Sequence, residues 1–117
     1  MKQPDFIRSR WFEDIPVGEF HVFGAHSFTE KEIIEFGKKY SPEAFHTSPE
    51  AAFDTEYRGL VAAEWHLAAI WMKLMVAYME RFATGVQDGR RNGAGVSVRD
   101  MQWFKPVRPG HTITFTY

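Results

Sequence analysis

The stretch LVAAEWHLAAIWMKLMVAYMERFA, residues 60–83, limits what this chain can fold into more than any other feature. Apart from Glu64, His66, Lys73, Glu80 and Arg81 it is apolar almost all round. Its roughly 22 helical residues would extend about 33 Å at 1.5 Å per residue. A helix without a polar face must be covered over nearly its whole circumference, and a sheet wrapped around it would do that. His66, Lys73 and Glu80 recur every seven residues and so share one stripe. Glu64, nine residues before Lys73, points roughly opposite and is expected to face the buried side. The Trp65, Trp71, Met72, Met75 and Met79 set reads as packing of a wrapped helix.

The flanking segments supply shorter elements. Pro16 and Gly18 make a turn before GEFHVFGAHSF, where Phe20, Val22 and Phe28 suggest a strand that Gly24 bends or bulges. Thr29-Glu30-Lys31-Glu32 is a capping box, because the Thr hydroxyl and the Glu carboxylate can each satisfy a free N–H at a helix start. Ile33, Phe36, Gly37 and Tyr40 follow at helical spacing until Ser41-Pro42 stops the helix. Ser48-Pro49 starts another, cap and N1 proline together. The glycine-rich segment 85–95 reads as an exposed turn and does not match a phosphate-binding loop. A strand with a bulge near Arg99 or Asp100 is expected over 94–104. Pro109 and Gly110 turn the chain into a half-buried strand at 112–117, where Ile113, Phe115 and Tyr117 alternate with threonines. The chain stops inside that strand, and the expectation is a sheet lacking C-terminal strands. This order segregates helix from sheet and gives an α+β fold.

At 117 residues the chain falls in the range of one domain, 1–117. Lys and Arg number 14 against 15 acidic residues, which favours no polyanionic partner such as nucleic acid. Without cysteine there can be no disulfide, thiolate nucleophile or cysteine-bound metal. His21 and His26 lie five apart on a strand and no histidine pair has i, i+4 helical spacing, so no metal site is expected. The N-terminus lacks the apolar run of a secretory signal, and the apolar stretch 67–72 is far short of the roughly 20 residues that span a bilayer. A soluble cytoplasmic protein without membrane attachment is the expectation.

Four stretches, FTEKEIIEFGKKYSPEAFHTSPEAA, YRGLVAAEWHLAAIWMKLM, GAGVSVRDMQWFKP and VRPGHTI, together resemble the MaoC-like dehydratase family, the hot-dog-fold (R)-specific enoyl-CoA hydratases and their relatives. The resemblance runs from about residue 12 to the end. It implies a hot-dog fold, an antiparallel sheet curled around one long helix, which agrees with the independent reading of 60–83. The family's hydratase motif is Asp-x-Asn-Pro-x-His, and Ser41-Pro42-Glu43-Ala44-Phe45-His46 stands in its place. In the family the Asp and His deprotonate a water that adds to the β-carbon of a trans-enoyl thioester. A backbone N–H at the start of the central helix holds the thioester oxygen, and Ala62-Ala63-Glu64 looks like that segment, with Trp65 beside it.

The resemblance therefore nominates His46, Ser41 and Glu43 for chemistry, and Ala63, Glu64 and Trp65 for binding an acyl-CoA thioester, with no redox cofactor or metal. Two departures bear on it. Ser41 replaces the aspartate, and a hydroxyl cannot act as a base near neutrality. Glu64 replaces a glycine, and its negative charge would oppose an oxyanion beside it while suiting the helix N-terminal dipole. Glu43 could take over the orienting role for His46, although sequence spacing does not establish that they meet. Arg90 and Arg91 either meet a CoA phosphate or are simply solvated. Three functions follow: an acyl-CoA hydratase or dehydratase, a catalytically silent hot-dog subunit that assembles with an intact paralogous subunit, or a thioesterase using Glu64. A homodimer or higher homo-oligomer is expected, since the hot-dog fold places its site at a subunit junction.

Overall fold

Two short strands and four helices follow one another in the computed structural model, which describes residues 11–82 and 95–117. After a 3-10 turn at Phe12–Asp14 come β1 (Val22–Ser27), α1 (Glu30–Tyr40), α2 (Ala44–Thr47), α3 (Pro49–Phe53), α4 (Glu64–Phe82) and β2 (Thr112–Thr116). The capping box forms as expected: Glu32 N–H donates to Thr29 Oγ1 at 3.2 Å and Thr29 N–H to Glu32 Oε1 at 2.7 Å. Ser41 caps the end of α1, and Ser48 caps α3 with Pro49 in its first turn. The single-turn α2 between them is absent from the sequence reading. No apolar period can be read from four residues.

β1 and β2 pair antiparallel, and the register slips between Val22 and Gly24, where Gly24 has φ of 136°. That is the bulge expected at this glycine, a conformation open to glycine because it lacks Cβ. The bulge also overturns part of the expectation, since Phe23 is buried and Val22 exposed. An extra residue in one strand shifts the inward parity by one position. At the other end of the pair, Pro109 and Gly110 (φ 88°) form the turn, closed by His111 N–H donating to the Arg108 carbonyl at 3.0 Å.

The central helix spans 19 residues, about 28 Å. Its inner face packs on the strands: Phe23 meets Trp71 and Tyr78 edge-on or tilted, and the Trp71 indole N–H donates to the Thr116 carbonyl at 2.9 Å. Phe28, Ile33, Ala52, Leu60, Ile70, Val107 and Phe115 complete the core.

Two expectations for this helix, the inward-facing Glu64 and the all-round cover, are corrected. His66 keeps its place on one stripe with Lys73 and Glu80, but it is 5% exposed while they stand in solvent. Side chains of β1 and α1 cover the first turns of α4, whereas nothing comparable among the described residues covers that stripe further along. Glu64 is half-buried, and the deeply buried positions are His66, Ile70 and Tyr78. Nor is the helix wrapped all round. Trp65, Met72 and Val76 are exposed, because the two strands among the described residues are too narrow to surround a cylinder about 10 Å across.

The strand expected at 94–104 does not form among the described residues 95–104, and Val96, Val98, Trp103 and Phe104 are exposed. A strand needs a neighbour for its N–H and C=O groups, and none of the described strands lies alongside. The glycine-rich turn, with Arg90 and Arg91, falls outside the described residues except for Gly95. No helix among the described residues is long and apolar enough to cross a membrane.

Candidate active site

α1 stops at Ser41, and the next turn of chain folds back under it, which places His46 in α2 directly beneath Gly37. A Cβ at position 37 would lie 2.5 Å from the His46 carbonyl oxygen and 2.9 Å from its Cβ, so the close approach needs glycine. Packed this tightly, the His46 side chain is only 1% exposed.

Hydrogen bonds then fix how the ring is turned. His46 Nδ1 lies 2.7 Å from the Val61 carbonyl oxygen. A carbonyl only accepts, so Nδ1 carries the proton and Nε2 of the neutral ring holds a bare lone pair. The contact is reciprocal, because Val61 N–H donates to the Phe45 carbonyl at 2.9 Å. α2 is thereby tied to the residues that lead into α4.

Nε2 points toward Glu43, whose Oε2 is 3.4 Å away. Two acceptors face each other there and no hydrogen bond forms while the ring is neutral. If Nε2 takes a proton, the carboxylate is in place beside the new charge. The other carboxylate oxygen accepts from Ser41 Oγ at 2.9 Å. Ser41, Glu43 and His46 therefore form one chain of contacts, and Glu43 and His46 do meet. The orienting partner of His46 is nevertheless a backbone carbonyl, which no side-chain pattern could reveal.

The start of α4 completes the arrangement. Ala62 N–H is occupied, donating to the Val107 carbonyl at 2.8 Å. The N–H groups of Ala63, Glu64 and Trp65 have no partner among the described residues, as is usual at a helix start. They follow Val61 by two to four residues, so the histidine and the free donors hang from one short segment.

Glu64 and Trp65 open onto different hollows. Glu64 borders a cleft of about 220 Å³ lined also by Tyr57, Val61, Leu67, Trp103 and Val107. Trp65, 64% exposed, lies on an apolar trench with Trp71, Met72, Met101 and Trp103. His46 borders neither hollow.

No family model matches the chain, and no curated protein does. Among solved structures, the MaoC-like dehydratase from Rhodospirillum rubrum superposes with a TM-score of 0.70 at 30% identity, over 92% of this chain and 68% of the other. A monoamine oxidase regulatory protein from Archaeoglobus fulgius gives 0.73 at 23% identity, over 94% and 72%, a likeness of fold.

Proposed function

The chain belongs to the MaoC-like dehydratase family with its hot-dog fold, and from that premise we propose that it binds an acyl-CoA thioester and hydrates or dehydrates it at His46. The observation that carries this reading is the buried His46 ring, its Nδ1–H held by the Val61 carbonyl and its bare Nε2 turned toward Glu43. In the hydration direction, once water and substrate reach the buried ring, Nε2 takes a proton from the water as the water oxygen bonds to the β-carbon. The double-bond electrons move onto the thioester oxygen, where the free N–H groups of Ala63, Glu64 and Trp65 offer donors. The proton then returns to the α-carbon and the thioester re-forms. Glu43 steadies the transient imidazolium, and Ser41 holds Glu43 from the far side. Ser41 itself supplies no base, which makes the expected rate low.

The test uses crotonyl-CoA, a longer enoyl-CoA and a saturated acyl-CoA with the purified chain. Hydration of the enoyl thioesters that disappears in His46→Ala and rises in Ser41→Asp supports the reading. One positioned acid or base is worth about 10² to 10⁴ in rate. Hydrolysis of the saturated thioester, lost in Glu64→Gln, would assign a thioesterase instead. The half-buried Glu64 carboxylate on its own cleft is the feature that favours that second reading. No turnover, with Ser41→Asp folded yet silent, would leave a binding or assembly subunit that works beside an intact paralogue.

A further inference from the structure

Away from His46, a second group of ionisable side chains sits at the junction of three elements. His26 on β1, Glu32 on α1 and His66 on α4 converge on one carboxylate oxygen. Glu32 Oε2 is 2.9 Å from His26 Nε2 and 3.7 Å from His66 Nε2, while Glu32 Oε1 accepts the Thr29 N–H. His66 lies flat on Phe36 of α1, ring centroids 4.5 Å apart and planes 6° off parallel, and meets Phe28 edge-on at 5.0 Å. Its Nδ1 is buried and has no hydrogen-bond partner among the described residues.

This geometry suits a neutral ring and not a charged one. An imidazolium must place N–H on both nitrogens. A neutral ring can keep its single proton on Nε2, which faces Glu32 Oε2 at 3.7 Å, whereas the second proton of an imidazolium falls on Nδ1, which has no acceptor among the described residues. A buried donor without a partner is costly. We propose that His26, Glu32 and His66 form an acid-released clasp, which seats α1 on β1 and α4 at neutral pH and lets α1 lift when His66 takes up a proton. Because Gly37 of α1 presses on His46, release would also loosen the candidate active site, a consequence that rests on the function proposed above.

The titratable groups acting on His66 are Glu32 from α1 and His26 from β1; Phe28 and Phe36 pack against its ring. Burial pushes the His66 value down from the ordinary 6.5, Glu32 opposes this, and His26 adds to it. For Glu32, burial pushes upward but is outweighed by the Thr29 amide and the two histidines, so its carboxyl lies below the ordinary 4.5. Glu32 thus remains an anion while His66 takes up its proton. The sign follows from linkage: with the closed-state value of His66 below 6.5, the open form takes the proton first as pH falls. Opening is favoured from about pH 6.5 downward, until the closed form also becomes protonated.

Amide hydrogen exchange on the whole chain between pH 7.5 and 5, corrected for the intrinsic rates, reads the opening directly and needs no substrate. Protection of the α1 amides should fall by up to about tenfold per pH unit below 6.5, while the β1 and β2 amides hold. In His66→Gln the α1 protection should stop responding to pH. Constant α1 protection in the wild type, or loss in step with the strands, overturns the clasp, and so does a folded His66→Gln with the wild-type response. If His66→Gln does not fold, the wild-type comparison of α1 with the strands decides. Failure of the thioester assays would leave these outcomes untouched.

Discussion

Gly37→Ala sets two effects of known sign against each other. Within a helix, alanine is favoured over glycine by about 0.8–1.0 kcal/mol, and by that measure alone the substitution stabilises α1. The new methyl, however, would sit 2.5 Å from the His46 carbonyl oxygen, 2.9 Å from its Cβ and 3.1 Å from its carbonyl carbon. Two of these atoms are backbone, and the third is fixed to it, so no side-chain rotation relieves the contact. Overpacking of this kind costs about 1–3 kcal/mol, and with backbone as the obstacle the upper half of that range applies. The expected net loss is about 1–2 kcal/mol, or a melting temperature lower by about 4–8 °C for a chain of this size. Urea unfolding followed by far-UV circular dichroism measures it as a lower midpoint with an unchanged slope. A midpoint equal to or above that of the wild type would mean that α1 does not press on His46, and the account of how that ring is held would fail with it.

Thr29→Ala removes the hydroxyl that accepts the Glu32 N–H and should cost about 1 kcal/mol, read in the same urea titration; an unchanged midpoint would show that the cap contributes nothing to α1. Self-association is expected as well, because Trp65, Met72, Val98 and Trp103 leave an apolar trench open beside α4, and apolar surface of this kind favours association. Sedimentation at micromolar concentration should therefore show species heavier than 13.6 kDa, and a stable monomer would count against the homo-oligomer.

How much of this was legible beforehand depended on the range of the physics involved. The capping box, the Ser48-Pro49 start, the Gly24 bulge, the Pro109-Gly110 turn and the long apolar helix are set by residues within a few positions of one another. Local sterics and hydrogen bonding decide them, so they can be read from the chain directly. The resemblance of four spaced stretches likewise pointed to the family and nominated His46, Glu43 and Ser41, whose contacts only the fold shows.

Tertiary structure decided whatever depends on a distant partner. Whether 95–104 is a strand turns on a neighbouring backbone that alternation of Val96, Val98, Met101 and Trp103 cannot reveal. The inward residue of β1 changed from Val22 to Phe23 once the bulge position was known. His66 became a buried member of an ionisable group only because Glu32, 34 residues earlier, and His26 arrive at the same point in space. The proton on His46 is placed by the carbonyl of Val61, and every residue carries a carbonyl, so the sequence holds no mark of which one will be there.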